Sequence, residues 1–418
     1  MSLRAAEADA TEFIPTLLFR PLSYEHQTHT VQGPNLSRRG SLAALCCLAL
    51  FLFALYLEAI GILLPELGRS FRLGPAIEGR IFPASFGGYI LGVVGCGVLS
   101  DRLGRKRVLL GTVLVYAVAL GLAGFAHSFS TVLVAFALIG AGGGAMETVA
   151  SALAADLYPE KRAAILNALQ IAFSAGAVLA PLLAQKLLTL GTDWHRLFLG
   201  VALANFLLLA LFTVQKFPAL PHSAEALDSA ALKAVLTQPA FLILCAAQAL
   251  YVGAEVGLSS WLPSYFQRLP GGAAWSGLVV SGFWLAVTLG RSAVGGGILG
   301  LSLTRLAALM GIFGAASSGA ALLFSSAVPV LICVFSAGLC FSGIFGLVLA
   351  EAGNRYPKAA GTVFGGVVAA GGVGGAVVPW AIGSLVGTAW GWRGALALIP
   401  VSSLALGLLL LSLEKRRS

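Results

Sequence analysis

Four ionisable residues lie inside long apolar stretches of this 418-residue chain: Glu58, Glu147, Glu255 and Arg291. A fifth, Glu351, lies at the end of another apolar stretch. In a membrane, one such charge near the bilayer centre costs roughly 2.5–3.5 kcal/mol on insertion scales, so each needs a function or a partner. Groups of this kind can exchange protons, bind polar solutes or neutralise one another. Because these stretches contain no histidine, a proton relay through them must use carboxylates.

Glu147 is the predicted proton-coupling group, and Gln170 is a predicted solute contact. Each lies roughly 6–8 Å from the middle of its apolar stretch, toward the same membrane face, so the two share a depth. A carboxyl enclosed there by apolar walls can carry a proton, and the amide can bind that carboxyl or a solute hydroxyl. A purely structural carboxyl is the alternative for Glu147. Glu58, near the opposite end of its stretch, is either a second proton or substrate group or a residue facing a vestibule.

Glu255, Arg291 and Glu351 are predicted to form a buried ion-pair set. A Glu255–Arg291 pair would neutralise two buried charges, and Glu351 competes for the same arginine. Direct contact with the substrate is the alternative for Glu255. The predicted substrate contacts are Gln170, Gln248, Tyr251, Glu255 and Trp284, of which the aromatic members could stack on a solute ring.

The composition determines which elements hold these residues. Hydrophobic residues make up 58% of the chain and charged residues only 10%, and the mean hydropathy is +0.92. An ordinary soluble domain is roughly 25% charged, so this chain cannot cover a water-exposed surface. A helix that crosses the hydrocarbon core needs roughly 20 residues, and with short loops the length allows about twelve crossings. The composition predicts an all-α integral membrane protein with twelve transmembrane helices.

Twelve apolar stretches are bounded by charged residues or by glycine and proline clusters. The predicted spans are 42–64, 79–99, 107–126, 131–154, 163–187, 195–215, 240–266, 276–299, 303–326, 328–352, 360–385 and 391–412. The predicted organisation is a disordered cytoplasmic tail at 1–40, a six-helix half at 41–215, a cytoplasmic linker at 216–239, a second six-helix half at 240–413 and a tail at 414–418.

The basic residues predict the orientation in the membrane. Cytoplasmic segments of this arrangement contain 18 of the 26 Lys and Arg residues, which by the positive-inside bias places both termini in the cytoplasm. A cell membrane is the expected location, with an organelle membrane as the alternative. The net charge of +9 is therefore explained by basic residues that orient the protein in the membrane, and no nucleic-acid partner is expected.

The two predicted halves repeat each other at a single offset of 198 residues. The matched positions are Pro65 with Pro263, Tyr158-Pro159 with Tyr356-Pro357, Gly176 with Gly374, Pro181 with Pro379, and Trp194 with Trp392. Two pseudo-symmetric six-helix halves are typical of secondary transporters, whose substrate site lies between the halves near the middle of the membrane.

The loop after the second span reads GVLSDRLGRKR, from Gly97 to Arg107. This segment resembles the G-x-x-x-D-R-x-G-R-[KR] motif of the major facilitator superfamily at every defined position. The resemblance implies that a charged cluster latches the cytoplasmic side when the transporter opens outward. The latch residues are Gly97, Asp101, Arg102, Gly104, Arg105 and Lys106, with Asp101 facing the start of span 11 near Thr362.

Within that superfamily the chain is similar to the fucose/glucose–proton symporter group. Glu147 matches the glutamate of an "ET" in span 4, and Gln170 matches the glutamine of an "LNxxQ" in span 5. The group's "Y-x-G-x-E" in span 7 and "GR" at the end of span 8 are matched by Tyr251, Gly253 and Glu255 and by Gly290 and Arg291. The fucose symporter has an aspartate where this chain has Gly61, and the nearest acid is Glu58.

These features together predict a monomeric secondary transporter that moves a small organic solute by alternating access with proton symport. A sugar or sugar-like solute is the first expectation. A proton-driven exporter of amphipathic compounds or organic acids is the alternative, and a non-transporting sensor on the same fold is a second alternative. No catalytic dyad, metal-ligand set or nucleotide loop is recognisable, so neither an enzyme nor a cofactor is expected.

Overall fold

The computed structural model describes residues 36–217, 235–294 and 301–415. The first part of the chain consists of α1 (Leu36–Leu57), α2 (Ile60–Phe71), α3 (Pro75–Glu78), α4 (Ile81–Leu103), α5 (Arg105–Gly124), α6 (Phe129–Leu157), α7 (Arg162–Thr189) and α8 (Trp194–Val214). The second part consists of α9 (Pro239–Phe266), α10 (Ser276–Val294), α11 (Leu303–Ala321), α12 (Ala327–Phe341), α13 (Ile344–Arg355), α14 (Ala360–Val386), α15 (Gly391–Leu396) and α16 (Leu398–Lys415). Most of the predicted tail at 1–40, the centre of the predicted linker at 216–239 and the last residues of the predicted tail at 414–418 lie outside the described residues.

The described residues form helices that can cross a membrane. Eleven helical segments among them are long and apolar enough to do so. α4, with 23 residues, also has the required length. These twelve segments correspond in order to the twelve predicted spans. The all-α membrane fold predicted from the composition is therefore confirmed.

Three predicted spans are not continuous helices. Span 1 is interrupted by a turn at Glu58 and Ala59, and its second part, α2, continues to Phe71, beyond the predicted end at 64. Span 10 is interrupted at Ser342 and Gly343, between α12 and α13, and span 12 at Ala397. Hydropathy does not detect such breaks. An interrupting residue is either as apolar as its neighbours or a single polar residue, and one polar residue hardly changes the mean hydropathy of a span. The first two breaks lie at the central cavity described below.

Two glycines of the internal repeat make equivalent helix crossings. A Cβ atom on Gly176 of α7 would lie 2.5 Å from the carbonyl oxygen of Phe51 in α1. A Cβ atom on Gly374 of α14 would collide with the carbonyl of Ala249 in α9. Only glycine allows backbones to approach this closely. The other repeated element, Tyr-Pro, opens a 3₁₀ turn in both places, at Pro159–Lys161 and Pro357–Ala359.

An aromatic cluster fixes the position of α1 within the first part of the chain. Tyr56 lies 6.2 Å from Tyr116 of α5, 5.8 Å from Phe136 of α6 and 6.1 Å from Phe198 of α8, measured between ring centroids. Such tilted and edge-to-face pairs are the favoured aromatic geometries. Because Glu58 follows Tyr56 by two residues, this cluster also sets where the Glu58 break lies.

Candidate functional site

A central cavity of about 940 Å³ lies between two groups of helices. The first group is α1–α8, from the first part of the chain, and the second group is α9–α16, from the second part. From the first group its lining includes Phe53, Tyr56, Leu57, Glu58, Ser85, Phe86, Tyr89, Gly140, Glu147, Gln170 and Phe173. From the second group it includes Val252, Glu255, Val256, Trp284, Arg291, Phe345, Val368, Gly371 and Gly372. Helices of both groups thus enclose the cavity, with ionisable residues on both sides.

Glu58 joins the two groups of helices inside this cavity. Its carboxylate accepts a hydrogen bond of 2.7 Å from the indole nitrogen of Trp284 in α10. Glu58 is buried, with 6% of its surface exposed. Its position at the break between α1 and α2 directs the side chain across the cavity. The sequence identified both residues as candidates but did not predict that they contact each other.

Glu147 and Gln170 both line the cavity, from α6 and α7. The hydroxyl of Tyr89 in α4 donates a hydrogen bond of 3.1 Å to the Glu147 carboxylate. Close packing makes this contact possible, because a Cβ atom on Gly144 of α6 would lie 2.7 Å from the Tyr89 ring. Tyr89 was not among the predicted site residues. A phenol hydroxyl in an otherwise apolar part of span 2 is the feature of the sequence that could have identified Tyr89 as a site residue.

Arg291 does not form the predicted ion pairs. Its guanidinium donates to the hydroxyl of Ser174 in α7, at 3.1 Å, and to the carbonyl of Ser342, at 3.3 Å. The break between α12 and α13 leaves that carbonyl available. Among the described residues, neither Glu255 nor Glu351 has a carboxylate oxygen within 4.0 Å of Arg291. Sequence analysis missed Ser174 and Ser342.

The two expected partners of Arg291 have other contacts. Glu255 accepts a hydrogen bond of 2.5 Å from the Tyr251 hydroxyl, one helical turn earlier, although the Arg291 charge still acts on it electrostatically. Glu351 pairs with Arg355, one turn later, at 2.5 Å. In both cases a partner on the same helix is closer than Arg291. Arg291 therefore lines the cavity without either predicted carboxylate within 4.0 Å.

Two predicted substrate contacts lie away from the cavity lining. Tyr251 is fully buried behind Glu255. Gln248 is also fully buried, packs near Gly371 of α14, and forms no hydrogen bond to any described residue. The shared face of Gln248 and Glu255 was inferred from their spacing of seven residues, but this spacing does not indicate how far each side chain is from the cavity.

The cavity wall is largely aromatic. The Trp284 indole lies 5.9 Å from the Phe173 ring, which in turn lies 6.2 Å from Phe53. Phe86 and Tyr89 form another pair, with centroids 6.1 Å apart. Such rings provide flat apolar surfaces against which a solute ring can pack. The cavity thus combines aromatic surfaces with carboxyl groups and a single guanidinium among its described lining residues.

The two groups of helices meet closely at the end of the bundle that contains α3, here called the α3 end. A Cβ atom on Gly61 of α2 would lie 2.5 Å from the carbonyl of Ser259 in α9. Gln185 of α7 accepts from the Gly277 amide at 2.6 Å and donates to the carbonyl of Ala273 at 3.1 Å. These contacts must break if the cavity is to open toward the α3 end. Gly61 is also where the fucose symporter has aspartate, and the Ser259 carbonyl leaves no room here for that side chain.

Replacing Gly61 by valine is expected to shift the protein toward a form that is open at the α3 end, because the new Cβ would meet backbone atoms that cannot move aside. Distances between spin labels at Ala76 and Pro270, in a cysteine-free background, would report the opening. Gly87→Val is the matched control, since no atom lies within 4 Å of a Cβ built there. An unchanged distance distribution in Gly61→Val would contradict this role.

The predicted latch residues make contacts within the first part of the chain. Arg105 pairs with Asp156 of α6 at 2.5 Å, and Lys106 donates to the carbonyl of Gln215 at 2.9 Å. Gly104 has φ +80°, as a tight turn between α4 and α5 requires. The side chains of Asp101 and Arg102 lie outside the described part of the structure. A latch between the two halves remains a prediction.

An all-α membrane fold with broken helices around a central cavity defines a secondary-transporter architecture. The Major Facilitator Superfamily model matches residues 46–379, about four-fifths of the chain, and the protein belongs to that superfamily. It is therefore a multi-pass membrane transporter. The resemblance of the GVLSDRLGRKR segment led to the same family.

Several curated relatives carry substrate names, among them a gentisate transporter and a 4-hydroxybenzoate transporter. The gentisate transporter of Corynebacterium glutamicum is 28% identical over 343 residues, which are 78% of this chain and 76% of that protein. The 4-hydroxybenzoate transporter of Pseudomonas putida is 29% identical over 191 residues, which are 45% of this chain and 42% of that protein. The match to the second relative therefore spans less than half of its length.

Solved structures share the fold. A D-xylose–proton symporter has a TM-score of 0.74 at 16% identity, with 89% of this chain and 97% of that chain covered. The fucose:proton symporter of E. coli has a TM-score of 0.64 at 22% identity, with 89% and 98% covered. The resemblance to the fucose symporter group stated above is confirmed at the level of the fold.

Proposed function

We propose that this protein transports a small aromatic carboxylate together with protons. The observation that carries the proposal is the Arg291 guanidinium, which faces an aromatic cavity and is held by Ser174 and the Ser342 carbonyl without a carboxylate partner. An arginine that lines a cavity and has no carboxylate oxygen within 4.0 Å among the described residues is suited to bind the carboxylate of a solute. The aromatic rings around Trp284 provide the surface for the apolar part of the solute.

The charges of the cavity favour movement of the anion with protons. Its described lining includes three carboxyl groups, Glu58, Glu147 and Glu255, and one guanidinium. If all were ionised, the cavity would carry two excess negative charges, and an entering anion would make three. Burial of unbalanced charge in a membrane protein is strongly unfavourable. Protons on carboxyl groups remove this excess, so the anion and the proton bind more readily together than alone.

The names of the relatives support the chemical class of the solute. Gentisate and 4-hydroxybenzoate, which the two relatives are named for transporting, are both hydroxylated benzoates. Each contains the two features that the cavity would accommodate, a carboxylate and an aromatic ring. This proposal is closer to the organic-acid alternative of the sequence analysis than to its first expectation.

A sugar is the second candidate. Gln170 and Trp284 line the same cavity, and an amide beside an aromatic ring can bind a sugar hydroxyl and stack on the sugar face. A neutral sugar cannot form a charge-assisted bond with the Arg291 guanidinium, which is why we place the carboxylate first.

Uptake by purified protein in proteoliposomes would test the proposal. We expect labelled 4-hydroxybenzoate to accumulate under an inward proton gradient and an internal pH dye to report faster acidification when the solute is present than when it is absent. The amide of the same compound, 4-hydroxybenzamide, is the matched neutral control and should not accumulate. Accumulation of D-xylose or L-fucose in its place would favour the sugar candidate, and solute movement without a proton signal would exclude proton coupling.

A further inference from the structure

A second cleft of about 690 Å³ lies at the α3 end, away from the central cavity. Its lining includes Gly68, Glu78, Ser264 and Arg268. Only 8% of Glu78 is exposed, and its carboxylate packs against Gly68. Among the described residues, this carboxylate has no hydrogen bond and no ion pair within 4.0 Å. A buried carboxylate without a bonded partner in a polar cleft is a candidate for proton exchange.

The charges facing Glu78 come from two neighbouring helices. Arg268, two residues beyond the end of α9, acts on it electrostatically, but its guanidinium lies over the Trp392 ring at 4.3 Å. Arg69 of α2 is occupied by Glu66. Burial raises the pKa of Glu78 to about 7, and Arg268 only partly opposes this rise. Glu78 therefore gains and loses its proton close to neutral pH.

Buried serine hydroxyls continue from this cleft toward the central cavity. Ser264 and Ser260 lie one turn apart on the same face of α9, which is a rise of about 6 Å. Both are buried, as is Ser259. Ser259 and Ser260 line a cavity of about 300 Å³, and Glu58 lines both this small cavity and the central one.

The helix crossing at the α3 end adds two acceptors to this line. Pro263 has no N–H group, so the carbonyl of Ser259 has no donor one turn later in α9. Pro65 has the same effect on the carbonyl of Gly61 in α2. The two carbonyls belong to residues that meet at the crossing and that occupy equivalent places in the internal repeat. The crossing of α2 and α9 is too close to let a solute pass, but it contains polar backbone carbonyls.

We propose that this line of groups, from Glu78 through Ser264 and Ser260 to Glu58, is a proton-entry route that works while the α3 end is closed to solute. Water at the α3 end gives a proton to Glu78. Each serine hydroxyl then accepts one proton and releases another, and the small cavity has room for about one water, which bridges Ser260 and Glu58. One proton leaves the solution and the Glu58 carboxylate becomes a carboxylic acid. The inference rests on the proposed proton coupling and assigns its entry path.

Solute-free proton flux in proteoliposomes tests the route. An external acid pulse, with potassium and valinomycin to balance charge, should acidify the interior of liposomes containing the wild-type protein. This signal should fall to the level of protein-free liposomes in Glu78→Gln and in Ser264→Val. It should persist in Ser264→Thr, which keeps a hydroxyl, and in Glu66→Gln, which removes an acid from the same end. It should also weaken as the external pH rises above about 7, where Glu78 loses its proton.

Three outcomes would overturn the route: no solute-free proton entry in the wild type, an unchanged flux in Glu78→Gln, or an unchanged flux in Ser264→Val. Solute counterflow at equal pH on both sides checks that each variant is folded and binds its solute. The proposed coupling is tested separately by solute-dependent acidification of the wild type. If that acidification occurs while the variants keep their solute-free flux, only the route is wrong.

Discussion

Replacing Arg291 by glutamine is expected to lower kcat/KM for 4-hydroxybenzoate by roughly 30-fold to several-thousand-fold, because removing one member of a desolvated charge pair costs about 2–5 kcal/mol. Glutamine keeps much of the length of the arginine side chain and can still donate to the Ser342 carbonyl. A loss of uptake would therefore reflect the missing charge and not an empty space left by a shorter side chain. The measurement is initial uptake of the labelled acid into proteoliposomes, with intact folding checked by a monodisperse gel-filtration peak.

Two further variants separate the charge of Arg291 from its geometry. Arg291→Lys keeps the positive charge but loses the planar guanidinium that bonds Ser174 and Ser342 together, so we expect an intermediate loss. Ser174→Ala removes one of those bonds and should cost less than either arginine variant. Equal uptake of the acid by the wild type and Arg291→Gln would show that the guanidinium does not bind the solute.

The sequence predicted the fold well because membrane spans leave a strong signal. Each span needs roughly 20 apolar residues and its loops collect charge, so hydropathy alone locates most of the helices to within a few residues. The breaks at Glu58 and at Ser342 leave no comparable signal, since a single glutamate or a Ser-Gly pair within an apolar run is compatible with a continuous helix. These breaks matter for function, because one places Glu58 opposite Trp284 and the other frees the carbonyl bonded by Arg291.

The candidate site was predicted as a set of residues but not as a set of contacts. The rarity of charge in a membrane singled out Glu58, Glu147, Glu255 and Arg291, and all four line the central cavity. Their partners could not be predicted, because which helices face each other depends on packing between distant segments. Arg291 was paired with glutamates on grounds of charge, whereas the structure pairs it with Ser174 from the other group of helices. Neutral donors such as Tyr89 leave no charge signal to find.

Glu147→Gln is expected to abolish the proton movement that accompanies solute uptake, and with it accumulation against a gradient, while solute counterflow continues. Glutamine cannot carry a proton, yet its amide oxygen can still accept the Tyr89 hydrogen bond, so the local structure is kept. The trapped pH dye and labelled 4-hydroxybenzoate, measured in the same liposomes, give both quantities.

Two control variants identify which carboxyl couples the proton. Tyr89→Phe removes the hydrogen bond without removing the carboxyl of Glu147, and coupled uptake should survive. Glu58→Gln tests the other carboxyl, which the indole of Trp284 holds across the cavity. Loss of the proton signal in Glu147→Gln with its retention in Glu58→Gln assigns coupling to α6 and contradicts the entry route through Glu58, and the reverse pattern assigns coupling to the break in span 1. If both variants still acidify the liposomes when solute enters, Glu255 remains as the third carboxyl of the cavity, and its replacement by glutamine would then have to stop the signal.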